Sequence, residues 1–190
     1  MIDRLLLDAQ MPIGDDASLR LRDRCVAQLL AMGVEAEAHV IALLTRGEAI
    51  NPPALYDLLS RIGGESGARY LRDILRTGTE GVADTVAVAL ARSRAPGAPD
   101  LLMDCLADER ESVVVAALMA LRATGRRVPC PVVAPLLRHP VARVRFHAVH
   151  LANGAGCLDE GTVAALLEAE RDPEVRAVLQ GYRHEQEPTR

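Results

Sequence analysis

His147 and His150 stand at i and i+3, a spacing that sets two imidazoles on one face of a helix, and His139 lies close by in sequence. Three such groups could begin a metal site. Zinc needs four ligands in a structural site or three in a catalytic one, yet residues 112–158 hold no Asp or Glu. Cys157, past the next turn, is the one further ligand in reach by sequence, so a solvated polar face is expected rather than a metal. The four cysteines, Cys25, Cys105, Cys130 and Cys157, are 25 or more residues apart and include no CxxC pair. Three of them lie in or beside apolar helical segments, and the four are expected as buried, reduced thiols. Asp15-Asp16 and Asp159-Glu160 fall just before helical segments, where carboxylates cap. All 22 basic residues are Arg, so Schiff-base chemistry and a Walker-type lysine are both excluded. No phosphate loop, nucleophile elbow or Ser/His/Asp arrangement can be read. The expectation is a non-enzyme without catalytic residues, metal or cofactor.

The chain of 190 residues is 49% apolar and 25% charged, enough to bury a core. Aromatics are 2%, namely Phe146, Tyr56, Tyr70 and Tyr182, too few for a base-stacking platform. The net charge of −4 offers no overall field for a phosphate backbone. The opening residues Met1 to Asp8 carry an apolar run too short and too interrupted by acid for a secretory signal. The longest apolar run, Val113 to Leu121, is far below a membrane span. A soluble cytoplasmic protein is expected.

These residues are positioned by short helices separated by Gly and Pro. Helical periodicity predicts segments near 17–32, 36–46, 52–62, 66–77, 81–93, 98–107, 112–124, 131–138, 141–153, 160–170 and 173–183, and no strand. A period of 31 residues runs through them. Leu55, Val86, Ala117, Ala148 and Leu179 form one apolar column, and Leu58, Ala89, Ala120, Leu151 and Tyr182 another. The preceding helices give Val40, Leu71, Leu102, Val133 and Ala164, then Leu43, Ile74, Cys105, Leu136 and Leu167. Turn glycines recur at Gly63, Gly125 and Gly156, with Arg94 substituting once. In each segment the columns share one helix face, so the unit is a pair of antiparallel helices that needs the next pair to bury its face. An all-α solenoid follows: an N-terminal capping segment and helix over 1–34, about five repeats over 35–184, and a polar tail over 185–190.

Two second-helix openings carry a family likeness: His139-Pro140-Val141-Ala142-Arg143-Val144-Arg145-Phe146-His147-Ala148 and Asp172-Pro173-Glu174-Val175-Arg176-Ala177. Both resemble the Asp-Pro…Val-Arg…Ala pattern of HEAT repeats, in the short form of the phycobilisome-lyase type. The resemblance covers residues 35–184. It implies a structural ladder of that Asp and Arg, incomplete here because Val114 and Ala83 replace the Arg in the middle repeats. HEAT-like deoxyhypusine hydroxylases hold iron with several His-Glu pairs. This chain has one, His184-Glu185, in its polar end.

The resemblance also implies two less favoured functions, an auxiliary subunit of a tetrapyrrole (bilin) lyase-like enzyme and a nucleic-acid binder like the HEAT-like alkylpurine glycosylases. Residues 112–158 do hold six Arg and no acid, leaving about −10 on the rest of the chain. Arg126 and Arg127 fall in an inter-repeat turn, however, whereas Arg138 and Arg143 flank the turn at the other end of the helices, so they do not form one track for a duplex. The sharper signal is apolar surface. At 100° per residue Val115 points away from the core face of its helix, and Met119 lies one turn on. Their equivalents 31 residues later are Phe146 and His150, with Arg143 and His147 along the edge. Val115, Met119, Arg143, Phe146, His147 and His150 are therefore expected to form one patch. It is either covered by residues 1–16 or open to a partner. The favoured function is a scaffold or adaptor binding an acidic or apolar-surfaced protein, or a second copy of itself, with no membrane.

Overall fold

The computed structural model describes residues 1–186, and all of its regular structure is helical. In chain order the helices are α1 (Ile2–Gln10), α2 (Asp16–Met32), α3 (Val34–Thr45), α4 (Pro52–Ile62), α5 (Glu65–Thr77) and α6 (Glu80–Arg92). Then come α7 (Ala98–Asp104), α8 (Glu111–Ala123), α9 (Cys130–Val133), α10 (Ala142–Gly154), α11 (Glu160–Ala169) and α12 (Pro173–Gln186). Single 3-10 turns, Cys105–Ala107 and Ala134–Arg138, prolong α7 and α9. The last four helices of the second set, α6, α8, α10 and α12, begin at residues 80, 111, 142 and 173, which is the 31-residue period written into the backbone. The additional element is α1, whose Ile2, Leu6 and Ala9 are buried on one face. Gln10 ties it down: its Nε2 donates to the Leu6 carbonyl and its Oε1 accepts the Asn51 N–H that opens α4.

Two compact units make up the chain, Met1–Cys105 and Leu106–Arg190. In the first, α4 packs on α6, α3 on α5 and α5 on α7, while α1 lies against α2, α3 and α4. In the second, α10 lies between α8 and α12, and α11 packs on α12. Second helices thus stack on second helices, the arrangement that lets each pair bury the face of the next. The column Leu55, Val86, Ala117, Ala148, Leu179 is closed to solvent throughout. One first-helix column is only partly closed: Cys105 and Leu136 are buried, Leu43, Ile74 and Leu167 are half-buried, and Leu75, Leu106 and Leu137 add to the core. These follow Leu71, Leu102 and Val133 at i+4, the step that stays on one helical face.

The interior of the inter-helix turns repeats as well. Asp108, His139 and Glu170, each 31 residues apart, accept the backbone N–H two residues on, from Arg110, Val141 and Asp172. Arg145 and Arg176 each donate to the carbonyl six residues back, His139 and Glu170. Val114 holds the equivalent place and is buried. The ladder's acid is Glu170, which takes two hydrogen bonds of 2.7 Å from Arg145, whereas Asp172 caps the start of α12. Asp15 and Asp159 cap α2 and α11 through the N–H groups of Ser18 and Thr162. Gly63, Gly125 and Gly156 take positive φ after their helices, while the Arg94 turn avoids it, with Ser93 extended.

The cysteines depart from expectation. Cys25 and Cys105 are buried free thiols, but Cys130 and Cys157 form a disulfide with Cα atoms 5.4 Å apart. Although 27 residues separate them, Cys130 opens α9 just past the turn after α8 and Cys157 lies in the turn after α10, and stacking of α8 on α10 brings the two into bridging range. Sequence distance concealed a one-repeat neighbour. No single described helix is long and apolar enough to cross a membrane; α2 and α3 pass that test only as a pair bent by 114°.

Candidate functional site

α8 and α10 carry all six residues of the expected patch, and the structure separates them into two groups. Val115 is not on the surface: it is 1% exposed, within a buried run from Val113 to Leu118. Its angle off the core face does not expose Val115, because α8 is buried all round from Val113 to Leu118, and a helix hydrophobic all round is a core helix. Met119, past that run, is 42% exposed. On α10, Arg143 is exposed and Phe146, His147 and His150 are half-buried. The Phe146 ring lies edge-on to both imidazoles, with centroids 5.2 Å from His147 and 4.7 Å from His150. Aromatic edges against faces are the favoured packing and hold the three rings as one cluster.

Arg143, Phe146 and His147 line an open cleft of about 460 Å3, whose far wall, at the start of α12, carries Asp172 and Glu174. The cleft therefore presents an aromatic surface between one basic and two acidic side chains. His150 turns the other way: its Nδ1 lies 2.7 Å from the Tyr182 hydroxyl, and its ring helps line a separate small cavity. Burial, and then the charge of Arg122, hold the His150 imidazole below its ordinary value of 6.5. Tyr182 was read from its column as core, and its polar end was missed. A Tyr at the rim of an apolar column is the signal that could have found it, since its hydroxyl seeks a partner.

The metal ligands weighed from sequence are otherwise engaged. His139 accepts from the Val141 N–H, and Cys157 is in the disulfide. Among the described residues no group of three His, Cys, Asp or Glu could hold a metal. The His184-Glu185 side chains lie outside the described residues. The basic residues do not share one groove: Arg138 borders clefts beside the 134–138 turn, Arg143 the aromatic cleft, and Arg122, Arg126 and Arg127 the small cavity. In the first unit Met11, Ile13, Val34 and Ile50 are exposed apolar side chains that the repeat columns did not flag.

No protein-family model matches this sequence, and no curated protein matches it either. Among solved structures it is similar to the CpcE–CpcF complex of phycocyanin lyase from Nostoc sp. PCC7120, with 21% identity over 95% of this chain and 75% of that one (TM-score 0.44). It is also similar to an engineered protein, at 16% identity over 96% of this chain and 95% of that one (TM-score 0.47). Likeness at these identities concerns the helical fold alone.

Proposed function

We propose that this protein is a non-catalytic interaction module, holding a protein partner on the cleft lined by Arg143, Phe146 and His147, with the exposed Met119 of the neighbouring helix α8 contributing to the same contact. The observation that supports it is the cleft beside α10, where the chain's sole Phe is half-buried between Arg143 and an acidic wall. Interfaces favour that composition, an aromatic anchor with Arg at its edge and a polar rim. His150 belongs to this reading only through the ring cluster, and Val115 no longer belongs to it. The partner expected is one presenting an apolar side chain flanked by charge.

The test is affinity capture with the wild type, Met119→Glu/Arg143→Glu, and Met11→Glu/Ile13→Glu, each checked for an unchanged melting transition. Captured proteins are then purified and recombined. A partner kept by the wild type and by the N-terminal variant, and lost by the α8/α10 variant, supports the reading. Loss only with the N-terminal variant moves the interface to the first unit and contradicts the site. The alternative, an auxiliary role in bilin attachment, rests on the HEAT-like repeat pattern and has no site residue to carry it. It predicts a visible absorbance shift when a bilin is added to the purified protein.

A further inference from the structure

The segment that precedes α10 is the least helical part of its repeat. Its α-helical portion, α9, has four residues, and the 3-10 turn Ala134–Arg138 completes it. Pro129, Pro131 and Pro135 withdraw three backbone donors from it. So short a helix does not hold itself together in water, and packing must hold it. Val133, Leu136 and Leu137 are buried, and the segment lies on α10. Its other side is open. In the first unit α3 packs on α5 and α5 on α7, yet among the described residues no packing of that extent joins this segment to α11. Two clefts of about 410 and 510 Å3 lie there instead, both bordered by Leu137 and Arg138, the first also by Leu166 of α11 and the second by Ala165.

Both ends of the segment are anchored. At the far end Arg145 donates to the His139 and Pro140 carbonyls. At the near end the Cys130–Cys157 bridge ties the first residue of α9 to the turn before α11. The bridge thus spans the side where helix packing is open. Cys130 is exposed, Cys157 is half-buried, and both border the larger cleft. Cys25 and Cys105, by contrast, are buried thiols outside any bridge. A disulfide exchanges only where a thiolate can reach one of its sulfurs, so access separates the labile bridges from the inert ones.

We propose that the Cys130–Cys157 bridge is a reversible thiol–disulfide exchange site, opened at Cys130 by a dithiol reductant, and that opening it loosens residues 130–138 while the helices around them stay folded. One thiolate of the reductant bonds to the Cys130 sulfur as the bond to the Cys157 sulfur breaks, and Cys157 takes up a proton. The second thiolate of the reductant then displaces Cys130, which leaves and is protonated, and the reductant departs as a disulfide. Two electrons have passed to the cysteine pair. The loosened segment uncovers the apolar side chains of Val133, Leu136 and Leu137, so the two redox states differ in surface as well as in covalent structure. The site lies outside the aromatic cleft and does not depend on a partner binding there.

The chemistry is tested on the oxidised full chain without denaturant. Brief treatment with reduced glutathione, an acid quench and peptide mapping should find the mixed disulfide on Cys130. Dithiothreitol followed by alkylation should label Cys130 and Cys157 and leave Cys25 and Cys105 unlabelled. Glutathione on Cys157, or a bridge that opens only in denaturant as Cys25 and Cys105 become labelled, would overturn the exchange site. The loosening is tested by hydrogen exchange of the oxidised and reduced chains, at labelling times too short for global opening. The Val132 and Ala134 N–H groups donate to the Pro129 and Cys130 carbonyls, and after reduction they should exchange about tenfold faster or more. Those within α8 and α10 should keep their protection. Cys130→Ser/Cys157→Ser should show the reduced pattern from the outset and ignore the dithiol. Equal protection of Val132 and Ala134 in both redox states, or equal loss along α8 and α10, would make the bridge a plain staple and contradict the proposal.

Discussion

Arg145 and Glu170 are the most consequential pair of side chains in the second unit. They are 16% and 6% exposed, joined by two short hydrogen bonds, and Arg145 also holds the His139 and Pro140 carbonyls. Hydrogen bonding to Arg145 lowers the Glu170 carboxyl from 4.5 to about 2. A carboxyl depressed on folding contributes its stability above its unfolded value, so this contribution is complete above pH 4.5 and is lost as pH falls toward 2. Arg145→Ala leaves the carboxylate buried without its cation and should cost about 3 kcal/mol at neutral pH, read as a lower denaturant midpoint. The variant's acid limb should also flatten between pH 4.5 and 2. His150 works in the opposite range. Its lowered value means the folded state prefers the neutral ring, so stability is full above pH 6.5 and declines below it. In His150→Gln, melting points measured from pH 7.5 down to 5 should lose that slope. At this scale the sequence was partly legible. Both Arg positions of the repeat pattern were evident, but the acid was sought at Asp172, because side-chain reach across a turn is not written in spacing.

Among the elements, α3 and α5 are joined by a buried acid that no periodic pattern announces. Glu37, 2% exposed, accepts the Gly67 N–H at 2.7 Å in the first turn of α5. A Cβ added at Gly64 or Gly67 would overlap the Glu37 carboxylate. Helix propensity alone would make Gly67→Ala stabilising by about 1 kcal/mol. The overlap reverses the sign, and a loss of about 1–3 kcal/mol is expected. In a Glu37→Ala background the same change should turn favourable, a non-additivity that a double-mutant cycle measures. The Cys130–Cys157 bridge acts at the same scale, joining the start of α9 to the turn after α10. Reduction, or Cys130→Ser with Cys157→Ser, should cost about 3 kcal/mol for a loop of this length and lower the melting temperature by several degrees. Apart from the end of α12, which runs three residues past the expected 183, helix boundaries are readable to within about two residues because Gly, Pro and capping Asp mark them, and α4 is observed over 52–62 as expected. The helix α1 was not read. Its three buried apolar positions lie outside the repeat, and only tertiary burial distinguishes such a short segment from a loop.

For the molecule as a whole, the 31-residue period carried most of the fold, since a unit that must stack on its copies repeats its core residues as well as its backbone. The candidate site was less legible for the same reason. A residue off the core face of one helix is exposed only if no further helix covers it, and Val115 is covered while Met119 is not. Charge is likewise distributed at this scale. The acid-free stretch 112–158 sets six Arg within the second unit with no carboxylate of its own, on a chain that is acidic overall. The central claim is that Met119 and Arg143 border a protein-binding surface. It is tested most directly by titrating the purified captured partner calorimetrically into the wild type and into folded Met119→Glu/Arg143→Glu. The account predicts that affinity falls by about tenfold or more in the variant, as at an interface hot spot. Equal affinity for both proteins would contradict it.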